Sequence, residues 1–178
     1  MRPIRHFMTG EQIGCDRFPR LYALQIWTAA DGIACTILGF FGDYMQLKDL
    51  QTKLDAMEFV QFYGLHIESL EPNRCMTRIA YQKKLERPGG IVAGPTFMMT
   101  ADVTFWLALV GELGVDTPLV TANLQSAFLN ACREEDIICE ARVLKFGRRL
   151  IYGTAECRSP RGQLFTHHAV TYARIIRE

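Results

Sequence analysis

The run "RPGGIVAGPTFMMTADVTFW", residues 87–106, sets one carboxylate, Asp102, in a stretch that is otherwise almost wholly apolar. An unpaired acid in apolar surroundings is costly, so Asp102 has either a structural partner or a chemical task. Eight residues earlier stands Gly94, followed at once by Pro95. Proline suits the first turn of a helix, where its missing N–H costs nothing, and the pattern predicts a helix from Pro95 to about Leu113. A glycine at such a start lets the backbone approach a ligand, and free N–H groups there, backed by the helix dipole, suit an oxygen that gains negative charge during acyl transfer. The plainer readings are that Gly-Pro is only a helix start and that Asp102 caps or pairs with a neighbouring group. Because Pro95 has no N–H, an oxyanion site would rest on Gly94 or on later amides.

Helical geometry separates the two groups. At ~1.5 Å per residue, Asp102 lies ~12 Å beyond Gly94, too far for one reacting atom to meet both within one chain. Two copies related by a two-fold axis can place the glycine of one beside the acid of the other, so a site built from both would be shared across a dimer.

Other catalytic signatures are missing from the sequence: there is no GxSxG, P-loop, GxGxxG or HExxH. His167 and His168 are neighbours in an expected strand, so they point to opposite faces and do not jointly bind a metal; each is expected as a packing or surface residue, and His66 as an exposed or cross-strand one. "KFGRR", residues 145–149, is a basic turn, either a solvated hairpin tip or a place to meet phosphates.

The elements that must position these groups are readable from periodicity. In "MQLKDLQTKLDAMEFVQFYG" the residues Leu47, Leu50, Leu54 and Met57, with Val60 beyond, recur at helical spacing, and Gly64 is a natural stop. "LHIESL" and "CMTRIAYQ" alternate about the turn "EPNR" and predict a hairpin. "RPGG" punctuates. Between Phe97 and Val110 only Thr100, Asp102 and Thr104 are polar, so this helix is wrapped by protein on most sides, and it reads as too short to span a bilayer. Four antiparallel strands are expected after it, over residues 119–129, 136–146, 148–159 and 163–176. One long helix enclosed by a curved antiparallel sheet buries these faces economically, which makes the fold class α+β.

Upstream of Met45 the chain mixes basic, aromatic and glycine residues without sustained period. Its most apolar part, Ile26 to Phe41, holds Asp31 and falls short of the ~20 residues of a spanning helix. Residues 1–44 are therefore expected as an N-terminal extension packed on the domain, a weakly membrane-associated segment, or residues upstream of a true start at Met45. The last is favoured, because residues 45–178 read as a complete small domain.

Composition narrows the classes further. A chain of 178 residues holds one ordinary domain with little room for a second. A formal net charge of +1 with 22% charged residues leaves no electrostatic footprint for nucleic acid. Six cysteines without a CxxC pair or His/Cys cluster read as reduced packing residues of a cytoplasmic protein, with no metal site.

From "RPGGIVAGPTFMMTADVTFWLAL" through the strands that end in "QLFTHHAVTYA", the chain resembles the hotdog-fold acyl-CoA thioesterases of the phenylacetic-acid-degradation (PaaI-like) type. The resemblance covers roughly Gly64 to Ile175. It implies that Gly94 supplies the oxyanion amide from one subunit, while Asp102 of the other activates water or attacks the thioester and Thr121 helps hold the water. The same resemblance makes Arg87, Lys145, Arg148 and Arg149 candidates for the phosphates of coenzyme A. Phe97, Met98 and Phe105, on the apolar helix, would line the acyl path or pack in the core. Coenzyme A enters as part of the substrate, no separate cofactor is implied, and the expected assembly is a homodimer or a tetramer of dimers. Three positions depart from the family pattern: its histidine is Ala93, its second glycine Pro95, and an asparagine seven residues before the first glycine is Arg87. These departures keep a non-catalytic acyl-binding or interaction module as the alternative. A hotdog dehydratase or hydratase would want a histidine near the acid, a place that only His167 or His168 could fill.

Overall fold

In the computed structural model, the described residues are 5–8, 22–29 and 32–37, as backbone strands, and 47–175 with their side chains. The chain forms two compact units, Met1–Tyr44 and Met45–Glu178. In the first, β1 (Arg5–Met8), β2 (Tyr22–Ala29) and β3 (Gly32–Ile37) make an antiparallel sheet in that order, where the sequence suggested no regular element. Met45, the candidate start, and Asp31 lie outside the described residues.

The second unit opens with two short helices, α1 (Leu47–Asp55) and α2 (Glu58–Tyr63), in place of the single helix expected. The reason is angular. Leu50, Leu54 and Val60 are all buried, yet in a continuous helix Val60 would stand about 240° round from Leu54. A break at Met57, whose backbone is extended, turns Val60 back into the core. Gly64 ends α2 in the left-handed conformation at φ 66°, as its position suggested.

The hairpin β4 (Leu65–Glu71) and β5 (Arg74–Ile79) follows, then a 3-10 turn at Lys83–Leu85 and a two-residue ribbon, β6 (Glu86–Arg87) with β7 (Ile91–Val92). Gly89 and Gly90 turn that ribbon with φ of 103° and 65°, values a side chain disfavours. The long helix α3 runs Gly94–Leu113, with Ala93 as its N-cap. The last strands are β8 (Leu119–Phe128), β9 (Ile137–Phe146), β10 (Leu150–Arg158) and β11 (Leu164–Arg174). They join the first hairpin in one antiparallel sheet of order β4-β5-β9-β10-β11-β8.

The architecture is α+β, the hotdog arrangement of a sheet around one central helix. Alternation decides the sheet's faces: along β5, β9 and β10 every second side chain turns in against α3. α3 is apolar on nearly all sides and twelve of its twenty residues are buried. Twenty residues of this composition are long enough to cross a membrane, more than the sequence reading allowed. Two-thirds of its most apolar stretch is buried in its own domain, as in the core helix of a globular fold.

The core helix packs tightly against the sheet at Gly153. A methyl group there would overlap the Arg142 carbonyl and the Phe105 ring. The sheet register also shifts between Tyr152 and Gly153, so a bulge and a missing side chain together admit Phe105. Phe105 is thereby fully buried against Tyr172, the packing role that was the alternative to lining an acyl path.

Candidate active site

Asp102 sits on the stripe of α3 that the sheet leaves uncovered, with Pro95 and Met98 before it and Trp106 after. Its oxygen Oδ1 accepts two hydrogen bonds, from the Thr121 hydroxyl at 2.8 Å and from the Tyr172 hydroxyl at 2.8 Å. Thr121 comes from β8 and Tyr172 from the adjacent β11, where the two residues are register partners. A register shift between Thr171 and Tyr172 sets this pairing and turns both side chains toward the helix. The Asp102 carboxylate is thus tied to the sheet through one oxygen, and Oδ2 accepts no hydrogen bond among the described residues. Burial, followed by the neighbouring Asp102, pushes the Tyr172 hydroxyl well above the ordinary tyrosine range, which keeps it a neutral donor.

Gly94 lies at the other end of the exposed stripe. The Ala93 N–H donates to the Leu85 carbonyl and the Thr96 N–H to the Ala93 carbonyl, each within 3.0 Å. Pro95 has no N–H, so Gly94 carries the free amide of this first turn; among the described residues it has no acceptor. A methyl on Gly94 would stand 3.2 Å from the Phe128 ring, tighter than ordinary packing. The glycine borders a cavity of about 360 Å³ with Arg87, Ile91, Phe97, Phe128 and Asn130 among its walls. Arg133 holds the cavity's rim in shape by donating from Nη1 to the Gly89 and Gly90 carbonyls, at 2.8 and 3.0 Å. Sequence reading missed that clamp, because "NACREE" reads only as a charged turn.

Asp102 borders a different, smaller cavity of about 150 Å³, lined by Leu54, Met57, Phe59, Val103, Trp106 and Tyr172. Within one chain, then, the structure brings Asp102 to Thr121 but not to Gly94. Arg87 and Phe97 join Gly94, while Met98 is 37% exposed on the outer stripe. Lys145, Arg148 and Arg149 border neither cavity. Their turn lies at the Leu119 end of β8, where the Arg174 N–H meets the Arg149 carbonyl, whereas Gly94 packs on Phe128 at the opposite end.

The histidines behave as their alternation implied. His168 is fully buried, with Nδ1 at 2.8 Å from the Ser126 hydroxyl and Nε2 at 2.7 Å from the Thr166 hydroxyl. Both ring nitrogens are occupied, and His168 borders neither cavity. His167 turns to the outer face opposite Glu156. Neither takes the place a dehydratase would need. Cys75 and Cys132 are buried, and burial raises their thiols to about 12 and about 11, so they pack rather than react.

Residues 89–166, less than half of the chain, match the model of the thioesterase superfamily. The chain is 29% identical over 107 residues to SSO1253 of Saccharolobus solfataricus, a protein provisionally named an esterase; the match spans 60% of this chain and 71% of that one. The thioesterase HI1161 of Haemophilus influenzae has the same fold at 18% identity and a TM-score of 0.68, over 74% of this chain and 91% of its own. The PaaI protein of the E. coli phenylacetic acid degradation operon has it at 13% identity and a TM-score of 0.66, over 72% and 92%. The chain is thus similar to the thioesterase superfamily over residues 89–166, and it shares the fold of these solved structures.

Proposed function

We propose that this protein hydrolyses acyl-CoA thioesters, as a PaaI-like enzyme whose site is completed by a second copy of the chain. The observation that carries the reading is the Asp102 carboxylate: both of its hydroxyl donors sit on Oδ1, and Oδ2 is left to act. The match of residues 89–166 to the thioesterase superfamily model supports the hydrolytic class.

The second copy is argued from β8. Among the described residues that strand pairs only with β11, so its other edge offers a long row of backbone groups without a strand partner there, and Val120 and Phe128 upon it are exposed. Antiparallel pairing of two β8 strands sets the Thr121 end of one against the Phe128 end of the other. Gly94, which packs on Phe128, then meets the partner subunit's Asp102, closing the gap that one helix leaves open. The same pairing carries the partner's basic turn at Lys145, Arg148 and Arg149 toward the end where Arg87 lies, so the phosphates of coenzyme A meet positive charge from both chains.

The reaction proceeds by attack of water on the thioester carbonyl. Asp102 Oδ2 takes the proton of the water as its oxygen bonds to the carbonyl carbon, or Oδ2 itself attacks and the resulting anhydride is hydrolysed. The Gly94 N–H donates to the oxyanion that forms, aided by the N-terminal dipole of α3. Collapse breaks the C–S bond, the thiol leaves with a proton, and the free acid remains. Pro95 removes one first-turn donor but leaves the Gly94 N–H in place.

A thiol-release assay over short, long and aromatic acyl-CoAs tests the proposal. Asp102→Asn is expected to lower turnover by two or more orders of magnitude with the assembly intact. Unchanged hydrolysis removes Asp102 from the mechanism. Tight acyl-CoA binding by the wild-type protein without release of thiol favours the acyl-binding module instead.

A further inference from the structure

The cavity beside Asp102 bears on which acyl group the site accepts, and this step rests on the thioesterase reading above. The acyl carbon under attack must lie within reach of Asp102, so the acyl chain begins at that carboxylate. Asp102 forms one wall of the cavity of about 150 Å³ whose other walls are the apolar parts of Leu54, Met57, Phe59, Val103, Trp106 and Tyr172. Three of these come from α1, α2 and the break between them, and two come from α3. The break that turns Val60 into the core therefore also places Met57 and Phe59 over the helix face that carries the acid.

We infer that α1 and α2 close an acyl pocket on α3, that Met57 and Trp106 set its depth, and that it takes a compact acyl group of roughly six carbons, the size of guest a cavity of this volume admits. Beyond the one water that Asp102 Oδ2 would hold, water gains little by staying there, since the other polar groups at the wall, Asp102 Oδ1 and the Tyr172 hydroxyl, are already bonded to each other. Each methylene that enters leaves water for apolar contact. A longer chain emerges past Phe59, which is 54% exposed, and gains nothing further from the pocket.

The test is a chain-length series of saturated acyl-CoAs, from acetyl to hexadecanoyl, with the full-length protein and with Trp106→Ala and Met57→Ala. In the wild type, kcat/KM rises roughly fourfold per methylene up to about six carbons and then levels. Both variants carry the levelling point to longer chains, by about two carbons or more, and Val103→Phe draws it to shorter ones. Met57 sits at the helix break, so its variant tests the pocket even where loss of Trp106 upsets folding. Affinities for the matching non-hydrolysable acyl-CoA thioethers are measured in parallel and follow the same profile. If no thioester is cleaved but the thioethers show this limit, the hydrolytic reading falls and the pocket stands. A rise that continues through dodecanoyl in rate or affinity, or a profile that no variant moves, overturns the pocket.

Discussion

Tyr172 and Asp102 stand seventy residues apart in the chain and 2.8 Å apart in the fold, and the tyrosine donates to the same carboxylate oxygen that Thr121 holds. Two donors on one oxygen fix the plane of the carboxylate and leave the other oxygen for chemistry. Tyr172→Phe is expected to lower kcat by about ten- to a hundredfold, the worth of one hydrogen bond to a charged group, with KM little changed. A fall in kcat equal to that of Asp102→Asn would mean that the tyrosine does more than hold the acid in place.

The same contact predicts a pH effect on stability. The Tyr172 hydroxyl is raised above the ordinary tyrosine value by burial and by Asp102. Its folded pKa exceeds the unfolded one, so the stabilisation is complete below the unfolded value, about 10, and drains away as pH rises toward the folded one. Thermal melts should show Tm falling above pH 10 in the wild type, and Tyr172→Phe should flatten that fall.

Sharing of the site between chains has a direct readout. Gly94→Val crowds the Phe128 ring and blocks the amide, while Asp102→Asn removes the acid, so each homodimer should be nearly inactive. Subunit exchange between the two pools puts both lesions at one site of the mixed dimer and leaves its other site intact. Half the dimers being mixed, about one quarter of wild-type activity returns. No recovery after verified exchange would place both groups within a single chain's site.

Gly153 carries a structural prediction that does not depend on the reaction. Gly153→Ala sets a methyl against the Arg142 carbonyl and the Phe105 ring, where neither the strand backbone nor a fully buried ring can yield. The cost should be about 3 kcal/mol or more, seen as a drop in the midpoint of urea unfolding. Phe105→Leu in the same chain should recover part of it.

The sequence displayed Asp102 because a carboxylate in an apolar helix violates composition, and it displayed Gly94 because proline marks a helix start. Strand alternation was equally plain, and its expected boundaries fall within a few residues of β8 to β11. Tyr172 stayed hidden for a physical reason. In β11 it reads as one more inward aromatic, and only the register shift at Thr171 turns it to face Thr121. The break at Met57 was legible in principle, since Leu54 and Val60 cannot share a face of one helix. "KFGRR" was legible as basic but not as distant from Gly94 in its own chain, because composition gives charge and only sheet order gives position.

Sheet order also sets when the site comes into being. β8 leaves the ribosome before β9, β10 and β11, yet among the described residues its one neighbour in the sheet is β11, the latest of these four strands to be made. Until that strand arrives, β8 lacks its neighbour in the sheet, and Thr121 and Asp102 lack the tyrosine that bonds to the acid. The loop that closes this pairing spans two intervening strands, a non-local contact of the kind that slows folding. On the proposed thioesterase reading, a nascent chain is expected to be inert toward thioesters until β11 has emerged, and the appearance of activity during translation or refolding would time the docking of that strand.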